Sequence, residues 1–148
     1  MPKTTLRKQP AAVTPANYIL LVEDVAETAL FLEALILQRW PGRWRVHRAQ
    51  TVPAARVEIS KERPAWALVD HWLPGVETSA ELIEELLSEG TPVISMTGLV
   101  SPPVIERCND PNWMGWVAKP ALEGSNRDLD RAFLESVTRE LTSRGILR

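Results

Sequence analysis

Runs of aliphatic residues alternate along this chain with stretches that have helical spacing. Continuous aliphatic runs are typical of strands that are buried on both faces, as the strands of a parallel sheet are. The predicted strands are YILLV at 18–22, RWRVHRA at 43–49, AWALVD at 65–70, PVISMT at 92–97 and MGWVA at 114–118.

The segments between these strands carry the signals of helices. Thr78 with Glu81 three residues later forms a capping box at the start of one of them. The last helix has apolar residues at i, i+4 spacing, which predict one buried face: Leu129, Phe133, Val137 and Leu141. The helices are predicted at about 27–39, 52–62 and 78–89, briefly from about 102, and from about 125. Alternating strands and helices predict an α/β fold with a doubly wound five-stranded parallel sheet.

Composition narrows the class of protein. The chain has 148 residues, of which 45% are hydrophobic, and this is enough for the core of one domain. Its formal net charge of -2 leaves no basic excess for phosphate backbones, so nucleic-acid binding is not expected. No apolar stretch is long enough to predict a membrane span. The lone Cys108 cannot form an internal disulfide, which favours a reducing, cytoplasmic location.

The amino-terminal residues differ from the rest of the chain. Residues 1–16 contain cations and prolines but no apolar core of a secretory signal, so they are predicted to be a flexible tail. Residues 17–148 are predicted to be the folded domain.

Polar side chains stand where four of the five strands end. Because the carboxyl ends of parallel strands meet at one edge of a sheet, and ligands bind at that edge, these side chains are expected to converge. They are Glu23 and Asp24 after the first strand, Asp70 at the end of the third, Thr97 at the end of the fourth and Lys119 after the fifth.

Clustered carboxylates need a proton or a cation, because two charges about 4 Å apart repel by roughly 4 kcal/mol at an effective dielectric near 20. An all-oxygen site favours a hard ion such as Mg²⁺, which can also hold phosphoryl oxygens. Asp70 is then free to act as a nucleophile that forms an aspartyl phosphate. Thr97 can donate a hydrogen bond to the phosphoryl group, Lys119 can pair with it, and Gly98 leaves the approach open.

In this order, the motifs LLVED, ALVDHWLPG, ISMTG and WVAKP resemble the response-regulator receiver domain of two-component signalling. The resemblance covers about residues 17–144. It implies a flavodoxin-like sheet of strand order 2-1-3-4-5 and a phospho-acceptor role for Asp70. It also implies that Asp24, Asp70 and the backbone carbonyl of Trp72 bind Mg²⁺ directly, with Glu23 acting through water.

The same resemblance assigns further roles. Thr97, Gly98 and Lys119 would contact the phosphoryl group, and Thr97 and Trp116 would form the switch. The bond between Lys119 and Pro120 is expected to be cis. The implied partners are a sensor histidine kinase or a histidine phosphotransfer protein, together with a downstream protein target. A homodimer is a further assembly that the resemblance allows.

The first helix is apolar almost all round, so part of it is expected to remain outside the core. In receivers this helix borders the acidic crevice, and phosphotransfer partners dock there. Phe31 and Leu35 are the candidates for a partner-docking surface. Burial of that side beneath the amino-terminal tail is an equally open alternative.

Three function classes remain open. The first is a stand-alone receiver, since only about four residues follow the last helix. The second is a receiver-like interaction module that phosphorylation does not regulate, because Trp116 is larger than the usual switch aromatic and Trp72 is bulky. The third is a phosphohydrolase, but this reaction needs a second acid shortly after the nucleophile, where His71 and Trp72 stand.

Overall fold

The computed structural model describes residues 17–71, 73, 78–97, 109–120 and 127–147. The predicted tail at 1–16, Trp72, Gly98 and the short helix predicted from about residue 102 lie outside the described residues.

Five parallel strands form a single sheet. They are β1 (Tyr18–Val22), β2 (Arg45–Ala49), β3 (Trp66–Asp70), β4 (Val93–Thr97) and β5 (Trp113–Ala118). Their spatial order is β2-β1-β3-β4-β5, and every neighbouring pair is parallel. Every residue of β1, β3 and β4 is buried, as the aliphatic runs predicted. The predicted fold class and the 2-1-3-4-5 order are both confirmed.

Four helices connect or follow the strands in the described part of the chain. They are α1 (Ala26–Arg39), α2 (Val52–Lys61), α3 (Ser79–Ser88) and α4 (Arg127–Ser143). The predicted capping box at Thr78 and Glu81 is present: the Thr78 hydroxyl accepts from the Glu81 N–H at 3.1 Å, and the Glu81 carboxylate accepts from the Thr78 N–H at 3.2 Å. None of the described helices is long and apolar enough to cross a membrane.

The helices cover the two faces of the sheet and create a core on each side. On one face, α1 and α4 pack Leu32, Ile36, Phe133 and Val137 against the sheet. On the other face the core holds apolar side chains of α2 and α3. Each aliphatic or aromatic side chain that is fully buried in this way stabilises the fold by about 1.5–3 kcal/mol.

The prediction for the last helix was correct at three positions and wrong at one. Phe133, Val137 and Leu141 are buried, but the side chain of Leu129 is 45% exposed. Leu129 lies in the first turn of α4 and lines a small cavity with Ala118 and Lys119. The first turn therefore extends past the core toward the carboxyl edge of the sheet, which periodicity along the helix does not reveal.

A β-bulge interrupts the pairing of β4 with β5. Val93 pairs with Trp113 and Ser95 pairs with Trp116, so one strand advances by three residues while the other advances by two. The extra residue is accommodated at Gly115, whose φ of 88° lies in the left-handed region that favours glycine. As a consequence, Trp113 and Trp116 lie on the same face of the sheet, in contact with each other.

Candidate functional site

The acidic residues that follow β1 lie at the carboxyl edge of the sheet. The Glu23 N–H donates to the Ala49 carbonyl at 3.0 Å, which extends the pairing of β1 with β2 by one residue. The Glu23 side chain is completely buried, and its Oε2 accepts a hydrogen bond from the Val25 N–H at 3.2 Å. Asp24 is half-buried beside it. The backbone at the end of β1 thus holds the first carboxylate inside the protein.

Asp70 completes a cluster of three carboxylates. It is the last residue of β3, next to β1 in the sheet, and it is buried. Glu23, Asp24 and Asp70 can each contribute one carboxylate oxygen so that the three oxygens lie within 4.8 Å of one another. Three acids that are far apart in the sequence are therefore close enough to bind one ion, as predicted from the positions of the strand ends.

Lys119 connects two of these carboxylates. Its Nζ forms an ion pair with Glu23 Oε1 and donates to Asp70 Oδ2 at 3.2 Å. Its backbone N–H donates to the Thr97 carbonyl at 3.1 Å, which ties the end of β5 to the end of β4. The cluster holds three carboxylates, and Lys119 pairs with two of them, so these four groups retain an excess of negative charge when all are ionised.

Burial and charge shift two pKa values in the site. Burial raises the pKa of the Glu23 carboxyl from 4.5 to about 7, although the hydrogen bond from Lys119 acts in the opposite direction. For Lys119, burial acts to lower the pKa, but the hydrogen bonds and charges of Glu23 and Asp70 outweigh burial and raise it. The site thus combines a charged ammonium group with a buried carboxyl that holds its proton more readily than an exposed one does.

Thr97 and Trp116 occupy the end of β4 and the middle of β5. Thr97 is buried at the last position of β4 and is paired in register with Ala118. The ring of Trp116 meets the edges of two aromatic neighbours, with centroids 5.5 Å from Trp113 and 5.4 Å from His71. Trp116 is therefore held by other rings on the face that carries the core of α2 and α3.

His71, which follows Asp70 in the sequence, is a half-buried residue packed against a neighbouring ring. Its ring contacts Trp116, and its N–H donates to the Met96 carbonyl at 2.9 Å. Burial lowers the pKa of the His71 imidazole, although the charge of Asp70 acts in the opposite direction. The sequence did not predict the contact between His71 and Trp116. The glycine inside the strand MGWVA was a signal of a β-bulge, and that bulge turns Trp116 toward His71.

Other predicted site residues are placed differently or lie outside the described residues. Phe31 and Leu35 are half-buried, and Leu35 packs against the core. The more exposed apolar side chains of α1 are Leu30 and Leu37. Trp72 and Gly98 are not among the described residues. The described residues contain no cis peptide bond, so the bond between Lys119 and Pro120 is trans, and the expectation of a cis bond was wrong.

Comparisons with known proteins identify the fold. No family model and no curated sequence matches the chain. Among solved structures, the N-terminal domain of a response regulator/sensory box/GGDEF 3-domain protein from Carboxydothermus hydrogenoformans is similar, with a TM-score of 0.70 and 21% identity over 88% of this chain and 98% of that chain.

Two further solved structures agree with the first. The chemotaxis response regulator CheY4 of Vibrio cholerae has a TM-score of 0.63 and 20% identity, over 85% of this chain and 99% of that chain. A CheY-like response regulator receiver domain protein from Methanospirillum hungatei has a TM-score of 0.62 and 25% identity, over 88% of this chain and 97% of that chain. The chain has the fold of response-regulator receiver domains, which confirms the resemblance seen in its motifs.

Proposed function

We propose that this protein is a phospho-accepting receiver in two-component signalling. In this proposal Asp70 accepts a phosphoryl group from a histidine of a sensor kinase or of a histidine phosphotransfer protein. The observation that carries the proposal is the cluster of Glu23, Asp24 and Asp70 at the carboxyl edge of the sheet, in which Lys119 pairs with Glu23 and Asp70. It is the set of groups that binding and transferring a phosphoryl group requires.

The donor set fits Mg²⁺. Three carboxylate oxygens lie within 4.8 Å of one another, and oxygen ligands are those that Mg²⁺ prefers. Burial raises the pKa of the Glu23 carboxyl, so a cation bound beside it would favour the ionised form of this group. The bound ion would neutralise charge on the phosphoryl oxygens. Asp24, Asp70 and the carbonyl of Trp72 are the proposed direct ligands, and Glu23 acts through water.

The proposed transfer is a displacement at phosphorus. A carboxylate oxygen of Asp70 attacks the phosphorus of the phosphohistidine, a P–O bond forms and the P–N bond breaks. The imidazole leaves with the electron pair of that bond and takes up a proton. Lys119, which contacts Asp70 at 3.2 Å before transfer, is near enough to pair with the new phosphoryl oxygens.

The proposed output is a change in protein–protein contacts. The Thr97 hydroxyl donates a hydrogen bond to the phosphoryl group, the Gly98 backbone leaves room for that group, and Trp116 adjusts to the movement of Thr97. Support comes from the position of Thr97 at the end of β4, beside the strand that ends in Asp70. A downstream protein target reads this change.

The test is intact-mass measurement after incubation with acetyl phosphate and Mg²⁺. We expect the wild-type chain to gain one phosphoryl group and the Asp70→Asn variant to gain none. Asp128→Asn is the matched control, because it removes an exposed carboxylate of α4 and should leave the adduct unchanged. An adduct that persists in Asp70→Asn, or that forms equally well without Mg²⁺, would contradict the proposal.

A second candidate is a receiver-like interaction module that phosphorylation does not regulate. It is favoured by the two edge-to-face contacts that hold Trp116, because a ring fixed by His71 and Trp113 is hindered from moving toward Thr97. The same mass measurement separates the candidates. No adduct in the wild-type chain supports the module, and rapid consumption of acetyl phosphate supports a phosphohydrolase instead.

A further inference from the structure

The side of α1 that faces away from the sheet carries an apolar stripe, defined here as Leu30, Ala34 and Leu37. These residues are spaced i, i+4, i+7 and share one face of the helix. Leu30 is 51% exposed and Leu37 is 38% exposed, whereas Leu32 and Ile36 on the opposite side are in the core. When the outer face of a helix is also apolar, that face is expected to be covered by another segment or by a partner.

Two acidic residues lie at the amino-terminal end of this stripe. Glu27 lies in the first turn of α1, and Asp24 stands two residues before the helix begins. Glu33, farther along the helix, is already paired with Arg48 of β2 at 2.8 Å and adds no excess charge. An occupant with apolar residues and several cations would complement both the stripe and the acids at its end.

The chain itself contains a segment of this kind. Residues 1–16 include Lys3, Arg7 and Lys8 and no acidic residue. They also include Leu6 and Val13, which are separated from the cations only by short intervals. The segment therefore combines apolar groups that match the stripe with positive charge that complements the acids at its amino-terminal end.

The segment also joins the domain at a suitable place. It leads into Asn17, whose carbonyl accepts from the Arg45 N–H at 2.8 Å and whose Oδ1 accepts from Arg45 Nη2 at 2.7 Å. Arg45 begins β2 only a short loop after α1 ends at Arg39. The segment is thus attached where β1 begins, at the end of the sheet opposite the carboxylates. The Leu37 end of the stripe lies at this same end.

The reach is sufficient. A helix of 14 residues is about 21 Å long, whereas 16 extended residues span up to about 50 Å. About four residues can therefore turn around the end of α1 and leave the others to run along it. In that direction Val13 comes first, near Leu37, and the cations come last, near Asp24 and Glu27.

We infer that residues 1–16 fold back along the apolar stripe of α1, with their cations beside the acidic end of the helix. The contact is intramolecular, so the tether keeps the local concentration of the segment high. If the proposed function is correct, the segment competes with a phosphotransfer partner for this helix. The contact itself does not depend on phosphorylation, so it can be tested separately.

The test is the rate of thiol alkylation at Leu30→Cys in the full-length chain, in a background with Cys108→Ser. Val57→Cys is the matched control, because Val57 on α2 is 53% exposed and Leu30 is 51% exposed. We expect the thiol at position 30 to react several-fold more slowly than the thiol at position 57. Reversing the charges of the segment with Lys3→Glu, Arg7→Glu and Lys8→Glu should remove that difference.

Three outcomes would overturn the inference. The first is equal reaction at the two positions in the chain with the native segment. The second is protection that persists after charge reversal. The third is protection that increases with protein concentration, because this would show that a second copy covers the stripe. Circular dichroism of each variant establishes that the rates compare folded chains.

Discussion

The buried carboxyl of Glu23 should make the stability of this protein depend on pH in a predictable direction. Burial raises its pKa in the folded chain to about 7 from the ordinary 4.5. Between these two values the unfolded chain releases the proton while the folded chain keeps it. Because the unfolded state then binds fewer protons, the free energy of unfolding falls as pH rises through this window.

The size of the effect follows from the two pKa values. At 1.36 kcal/mol for each pKa unit, a rise from 4.5 to about 7 corresponds to a loss on the order of 3 kcal/mol, complete just above pH 7. The pH at which the loss ends depends on Lys119, whose ion pair with Glu23 favours the ionised carboxylate. A loss of this size is a large fraction of the 5–15 kcal/mol that typically stabilises a domain.

The experiment compares the wild-type chain with Glu23→Gln. Glutamine resembles the protonated carboxyl in shape but does not titrate, so other ionisable groups largely cancel in the difference between the two curves. Urea unfolding should be measured between pH 4 and pH 8 in buffer that contains a chelator. We expect the wild-type chain to lose stability relative to Glu23→Gln as pH rises, and to regain part of it when Mg²⁺ is added.

The control is Asp128→Asn, which removes an exposed carboxylate and should run parallel to the wild-type chain. Parallel curves for the wild-type chain and Glu23→Gln over the whole pH range would refute the reasoning. A wild-type chain that gains stability relative to Glu23→Gln between pH 5 and 7 would refute it as well, since this would mean that the ion pair with Lys119 outweighs burial.

Three other predictions concern stability and packing. Trp66→Ala should lower the free energy of unfolding by about 3–5 kcal/mol in urea titration, because Trp66 is fully buried; a loss below 1 kcal/mol would contradict this packing. Gly115→Ala should cost about 1–2 kcal/mol through backbone strain alone, since φ is 88° and a Cβ would meet no atom within 4 Å; a change in the near-ultraviolet circular dichroism of Trp116 should accompany it. Thr78→Ala should cost about 1 kcal/mol by removing the cap of α3, and Thr78→Ser should restore most of it.

Much of the fold and of the carboxylate cluster could be predicted from the sequence because the relevant rules are local or topological. Aliphatic runs identify β1, β3 and β4, since a strand that is covered on both faces has no polar positions. Parallel strands bring their carboxyl ends to one edge, so Glu23, Asp24 and Asp70 had to meet once the strands were recognised. Lys119 follows from the same rule.

Other features depended on contacts between distant segments. Alternation along an uninterrupted strand would put Trp113 and Trp116 on opposite faces, but the bulge at Gly115 puts them on the same face, where Trp116 meets His71. The identity of the exposed side of α1 also required the structure, because a helix that is apolar almost all round has no periodicity to show which residues face the sheet.

The sequence by itself determined the class of fold, the edge of the sheet that carries the chemistry and the carboxylates found there. Only the tertiary structure decided how buried Glu23 is and that Lys119 bridges it to Asp70. It also decided which ring holds His71 and that Leu30 and Leu37, rather than Phe31 and Leu35, are the more exposed residues of α1. The physical reason is that residue type and spacing specify which groups lie at an edge or in a core, whereas burial and pairing depend on distances between segments that are far apart in the chain.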